Sequence, residues 1–160
     1  MRVPAKQFTY SYRAGPVDTK AELQAAQEGN CRFAIQVYFY ELHNVWLAKD
    51  EIYLPGGYQS LGRFVYQEES IAWDAVQPGD IIYAQRLRNR AGAPIDQSLS
   101  FYQQNKDEWW YHLHSAIYAG STNGTSFIWH ATSVANGTAL WTLAEFHYYY
   151  QTISIKRVLG

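Results

Sequence analysis

The Asn123-Gly124 pair constrains the fold of this chain more than any other feature of the sequence. Asn-Gly is a favoured pair for a two-residue turn between antiparallel strands. The segments on either side, residues 111–119 and 127–131, have the length and the β-branched and aromatic content of strands. The sequence therefore predicts an antiparallel hairpin centred on this turn.

Three histidines lie on the two predicted strands of this hairpin, namely His112, His114 and His130. Alternate residues of a strand share a face, so His112 and His114 are expected to point the same way. The short connection makes His130 a neighbour of His114 across the sheet. Such a patch is compatible with a base for a nucleophile, with a three-histidine metal site, or with ordinary half-buried histidines.

Helices are predicted before this hairpin and strands on both sides of it. Thr19-x-x-Glu22 is a capping-box pattern for a helix over residues 21–27, and a second apolar periodicity predicts a helix from about Cys31 to Ala48. Further predicted elements are a strand at 81–84 after a Pro-Gly-Asp turn, a strand at 138–141, a capped helix from Thr142 to about Tyr150 and a strand at 152–158. Residues 50–70 and 86–108 look irregular, and the second stretch has the length of a lid or binding loop.

This order predicts an α+β fold, with the helices packed on one side of a central antiparallel sheet and residues 1–160 forming one domain. The net charge of −1 without a basic block argues against a nucleic-acid partner. No apolar run approaches the ~20 residues of a membrane span. A cytoplasmic location is expected because no signal-peptide core is evident; a secreted or periplasmic one would follow from a removed signal or another export route.

Cys31 is the single cysteine, and it is expected at the first turn of the second helix, after the N-cap candidate Asn30. Free backbone N–H groups and the helix dipole favour a thiolate there. One cysteine permits neither an internal disulfide nor a zinc ribbon. The sequence therefore indicates a reactive thiol, and no cofactor or metal is expected.

Aromatic residues make up 17% of the chain, including 14 Tyr and 6 Trp. Trp109, Trp110 and Trp129, with His112, are candidates for the walls of a substrate groove. Packing in the core is an equally good interpretation of the tryptophans.

Four segments, in order, resemble the NlpC family of cell-wall cysteine peptidases, which have a small papain-like fold. The segments are Cys31 with the helix through Tyr38, Val76-Gln77-Pro78-Gly79-Asp80-Ile81-Ile82-Tyr83, His114-Ser115-Ala116-Ile117-Tyr118-Ala119-Gly120, and Ile128-Trp129-His130-Ala131-Thr132. The tail Ile155-Lys156-Arg157-Val158-Leu159 resembles the last strand of that family. The likeness covers roughly residues 30–159.

The resemblance implies a cysteine hydrolase that cleaves an amide or peptide bond through a thioacyl intermediate. Cys31 would be the nucleophile, His114 the base in a thiolate–imidazolium pair, and His130 the residue that orients His114. The Cys31 backbone N–H would be the first oxyanion donor. The substrate would be a peptide or a peptidoglycan-derived compound.

The nucleophile segment departs from the family pattern, since Asn30-Cys31-Arg32-Phe33 stands where the family has Asp-Cys-Ser-Gly. This difference predicts a substrate other than the usual one. An amidase or acyltransferase, and a non-catalytic peptide- or glycan-binding module on the same fold, are the alternatives. A zinc site that includes His112 is a third.

Overall fold

The computed structural model describes residues 1–53, 61–67, 71–89, 91–94 and 113–160 of the 160-residue chain. In these ranges the protein is α+β, with four helices and a curled sheet of eight strands. None of the helices in these ranges is long and apolar enough to cross a membrane.

The helices are α1 (Lys20–Ala25), α2 (Cys31–His43), α3 (Lys49–Tyr53) and α4 (Leu143–Tyr149), and a short 3-10 helix covers Trp73–Ala75. The strands are β1 (Thr9–Tyr10), β2 (Glu28–Gly29), β3 (Arg63–Gln67), β4 (Ile81–Arg86), β5 (Leu113–Thr122), β6 (Thr125–Thr132), β7 (Gly137–Thr142) and β8 (Tyr150–Arg157). Their order in the sheet is β2-β1-β7-β6-β5-β4-β8-β3. Neighbouring strands are antiparallel except β1 and β2, which are parallel.

The predicted hairpin is confirmed as β5 and β6. Asn123 and Gly124 have φ values of 52° and 79°. A type I′ turn needs positive φ at both central residues, which Asn and Gly tolerate best. In the register that follows, Ile117 is opposite Trp129.

The predicted helix starts are confirmed, but the predicted end of α2 is wrong. Thr19, Asn30 and Thr142 each accept a backbone N–H at the start of a helix, and Thr142 forms a full capping box with Glu145. Helix α2 ends at His43 rather than near Ala48, because Asn44 follows in the left-handed conformation with φ 53°. An asparagine in this conformation closes a helix end.

Other differences come from short elements and from long-range packing. Strands β1 and β2 have two residues each, too few to show a pattern, and they give the sheet its parallel pair. The segment predicted as loop contains α3 and β3. Residues 54–60 and 68–70, and most of the irregular segment over 86–108, lie outside the described residues.

The sheet separates two apolar layers, and the helices lie on both sides of it rather than on one. In the α2 layer, Ile81, Ile117 and Trp129 pack with helix α2. In the α4 layer, Ile82 and Ile128, which neighbour these residues in sequence, pack with Phe146 of α4. The period of two along each strand explains this division.

An ion pair fastens the turn before β4 to the end of β8. Arg157 donates from Nε and Nη2 to the two oxygens of Asp80, both at 2.8 Å. The backbone N–H of Gln77 donates to the same carboxylate at 2.9 Å. Asp80 is 2% exposed, so these contacts compensate for the burial of its charge.

Candidate functional site

A buried pair of histidines lies in the α4 layer. His114 on β5 and His130 on β6 are joined by a hydrogen bond of 2.8 Å between His114 Nε2 and His130 Nδ1. The two side chains are 5% and 0% exposed. This bond confirms the proximity that the hairpin predicts.

Aromatic rings enclose the pair. The Tyr150 ring stacks on His114 with centroids 4.1 Å apart, and the Trp141 ring lies 4.4 Å from that of His130. The Tyr150 hydroxyl is hydrogen-bonded to Thr132 at 2.7 Å, and Arg86 Nη1 donates to it at 3.4 Å. These contacts fix the orientation of both imidazoles.

Burial and nearby cations keep both histidines neutral. Burial is the largest cause that lowers the pKa of His114 well below its ordinary value, followed by the electrostatic interaction with His130 and by the charges of Arg86 and Arg32. Burial and Arg86 lower the pKa of His130 to about 3. Burial also raises the pKa of Tyr150 to about 12. The lowered pKa of His114 opposes a resting imidazolium at this position.

Cys31 is the first residue of α2 and is buried, with 9% exposure. The Asn30 side chain accepts the N–H groups of Arg32 and Phe33, each at 2.9 Å. The backbone N–H of Cys31 has no hydrogen-bond partner among the described residues. It therefore remains available to a ligand.

A hydroxyl group ties the start of α2 to strand β5. Ser115 Oγ donates to the Cys31 carbonyl at 3.2 Å. Successive strand residues point to opposite faces, so Ser115 faces α2 while His114 points into the α4 layer. No hydrogen bond joins Cys31 to His114.

Residues at the start of α2 nevertheless influence the pKa values of the buried groups in the α4 layer. The charge of Arg32 contributes to the lowered pKa of His114. A charge on Cys31 contributes to the raised pKa of Tyr150, whose ring stacks on His114. The structure thus joins His114 to His130 by a hydrogen bond and joins Cys31 to strand β5 through the Ser115 hydroxyl.

The remaining predicted site residues have different outcomes. Trp109, Trp110 and His112 lie outside the described residues. Trp129 is 3% exposed in the α2 layer, with its ring 6.0 Å from that of Tyr38. Its position favours the packing interpretation over the groove-wall interpretation.

No three His, Cys, Asp or Glu residues in the described part of the chain are placed to hold a metal ion. The three-histidine alternative depends on His112, which this part does not include.

Sequence reasoning missed the groups that surround the histidine pair. Arg86 shares a face with Ala84, which is opposite His114, so the period of two on β4 could have found it. No local pattern predicts that Tyr150 lies beside the histidine pair, because strand β8 comes to this position only by pairing with β4.

A surface cleft of about 440 Å³ reaches Tyr150 from the outside. Trp73, His147 and Thr152 are among its lining residues. Tyr150, whose ring stacks on His114, is also among the residues that line this cleft.

Comparisons with family models, with curated proteins and with solved structures found no match to the chain. The function must therefore be argued from the chemistry of the site and from the motifs in the sequence.

Proposed function

We propose that the protein is a cysteine hydrolase that cleaves an amide or peptide bond, with Cys31 as nucleophile, His114 as base and His130 as the residue that orients His114. The observation that carries the proposal is the 2.8 Å hydrogen bond between the two buried histidines. A base oriented by a third group is a recurring requirement of nucleophilic catalysis. The proposed fold is a divergent papain-like fold of the NlpC type.

The nearby placement of the nucleophile supports this assignment. Ser115, the neighbour of His114 on β5, holds the carbonyl of Cys31 through its hydroxyl. Because His114 packs against Phe146 and Tyr150 in the α4 layer, the contact between the Cys31 thiol and His114 Nδ1 would require a rearrangement of these side chains when substrate binds. Catalytic hydrogen bonds are often long or absent without a ligand and tighten in the substrate complex.

The neutral state of His114 determines how the first step proceeds. In the tautomer in which His114 Nε2–H donates to His130 Nδ1, His114 Nδ1 carries the lone pair that accepts the thiol proton. Sulfur attacks the carbonyl carbon as this proton is transferred. The Cys31 backbone N–H stabilises the resulting oxyanion as its first donor.

Collapse of the tetrahedral intermediate breaks the C–N bond, and the leaving amine takes the proton from His114 Nδ1. A thioester on Cys31 remains. Water then attacks the thioester carbon and gives its proton to His114. The C–S bond breaks, and the proton returns from His114 to the sulfur.

The substrate is proposed to be a peptide or a peptidoglycan-derived compound. The support is the ordered set of motifs, in particular the Pro78-Gly79-Asp80 turn and the His114–Tyr118 and Ile128–Thr132 segments. Incubation of the protein with purified peptidoglycan peptides should release new amino groups that mass spectrometry detects. Loss of this product in Cys31→Ser would assign the activity to the thiol.

Alkylation of Cys31 tests the site without knowledge of the substrate. We expect iodoacetamide to react with Cys31 at pH 7 faster than with a free thiol of pKa ~8.5. His114→Ala should slow this reaction by about tenfold, because the thiol loses its base. Peptide mass spectrometry over a time course measures the rate.

His43→Ala is the matched control, because His43 is an exposed histidine at the other end of the same helix. It should leave the rate unchanged. An alkylation rate at pH 7 no faster than that of a free thiol, and equal in a folded His114→Ala variant, would contradict the hydrolase proposal. Circular dichroism establishes that each variant is folded.

A second candidate function is a non-catalytic peptide- or glycan-binding module on the same fold. The burial of Cys31 and the absence of a hydrogen bond to His114 favour it. In that case peptidoglycan fragments would bind with equal affinity to the wild type and to Cys31→Ser, and neither protein would cleave them.

A further inference from the structure

We propose that Arg32 is a specificity-determining residue that selects acyl substrates carrying a carboxylate next to the scissile amide. This inference rests on the proposed hydrolase function. Arg32 follows the nucleophile directly in the sequence, on the first turn of α2.

The side chain of Arg32 is held in place by an aromatic ring. Its guanidinium carbon lies 5.0 Å from the centroid of the Tyr83 ring. Tyr83 is opposite Ser115 in the β4–β5 pair, and Ser115 binds the carbonyl of Cys31. Arg32, Tyr83, Ser115 and Cys31 therefore form one contiguous set on the α2 side of the sheet.

The guanidinium of Arg32 has no anionic partner among the described residues. Its Nη1 atom is buried and makes no hydrogen bond to any of them. No carboxylate in the described ranges is within ion-pair distance; the ion pair present there joins Arg157 to Asp80. Leaving a buried donor of a charged group unsatisfied is costly, so this atom is poised to donate a hydrogen bond to a ligand oxygen.

A carboxylate fits this position better than a neutral group. Guanidinium N–H groups match the two oxygens of a carboxylate in a fork geometry, which an amide cannot reproduce. Arg32 and Arg86 both act electrostatically on His114. A bound carboxylate would offset this positive charge and make protonation of His114 easier during attack.

Two alkylating reagents that differ in charge test the assignment. Iodoacetate carries a carboxylate on the reactive carbon, and iodoacetamide carries a neutral amide there. Each forms an S–C bond with Cys31 and releases iodide, while the thiol proton leaves to His114 or solvent. The ratio of their rate constants cancels any change in the reactivity of the thiol itself.

We expect iodoacetate to be the preferred reagent for the wild type, and Arg32→Gln to lower the iodoacetate-to-iodoacetamide ratio by about tenfold, the effect of one hydrogen bond to a charged group. Arg32→Lys should lower it less, since the charge remains and the fork is lost. Arg88→Gln is the matched control. Arg88 also lies over a tyrosine ring, at 4.2 Å from Tyr148, but carbonyl groups accept its N–H groups.

An equal ratio in the wild type and in folded Arg32→Gln, with Cys31 labelled in both, would overturn the role of Arg32 and leave the hydrolase proposal standing. Failure of both reagents to label Cys31 in the native wild type would overturn the hydrolase proposal, and the role of Arg32 with it. A ratio that falls equally in Arg88→Gln would also overturn it, because general surface charge would then explain the preference.

Discussion

Lowering the pH from 7 to 5 is expected to destabilise the protein through His130. The pKa of His130 falls from an ordinary 6.5 to about 3, mainly because the side chain is fully buried. At pH 5 the unfolded chain binds a proton at this position and the native state does not. The free energy of unfolding therefore decreases as the pH falls.

The size of this effect follows from the interval between the two pKa values. pH 5 lies about 1.5 pH units below the pKa of the histidine in the unfolded chain. At 1.36 kcal/mol per unit, protonation therefore stabilises the unfolded state by about 2 kcal/mol between pH 6.5 and pH 5. Neutral His130 makes its full contribution to the free energy of unfolding above pH 6.5. This contribution decreases as the pH falls to about 3, where the histidine of the native state titrates. His114 acts in the same direction, so the total loss in the wild type exceeds this figure.

Urea unfolding at pH 7, 6 and 5, followed by tryptophan fluorescence, measures the free energy of unfolding. The variant His130→Asn removes the titratable ring, so it should lose about 2 kcal/mol less than the wild type over this range. His43→Asn removes an exposed histidine whose pKa is lowered by slight burial and by Arg2, so it should reduce the loss by much less than His130→Asn does. Equal pH dependence of the wild type and His130→Asn would refute the reasoning.

Two further changes test the framework around the site. Asp80→Asn should lower the free energy of unfolding by about 3 kcal/mol, because it leaves Arg157 without its carboxylate at a largely buried position. Urea unfolding measures this change, and Asp74→Asn, at an exposed position, is the control. Tyr150→Phe should cost about 1–2 kcal/mol, because Thr132 loses the hydroxyl partner at 2.7 Å, while the ring that stacks on His114 remains. An unchanged denaturation midpoint in either variant would argue against the corresponding contact.

The part of the site that depends on local structure could be predicted from the sequence. The Asn123-Gly124 turn sets the register of β5 and β6, and that register brings His114 beside His130. The Asn30 cap likewise places Cys31 at the first position of α2. Each of these follows from turn, cap and alternation rules that act over a few residues.

The position of Cys31 relative to His114 could not be predicted in the same way. It depends on how α2 packs on the sheet. The sequence contains no signal for the hydrogen bond by which the Ser115 hydroxyl joins strand β5 to the start of α2. The alternation of β5 explains why His114 points into the layer opposite α2, yet the predicted catalytic pair assumed direct contact. The stacking of Tyr150 on His114 likewise requires β8 to pair with β4.

The insertion of β8 between β4 and β3 also determines when the site can form during synthesis. The hairpin of β5 and β6 can pair as soon as it leaves the ribosome, but His114 then has one side uncovered. Tyr150 and the strand that follows must arrive before the histidine pair is shielded from water. Such pairing between distant segments closes slowly. The enclosure of the histidine pair is therefore a late event in the maturation of the chain.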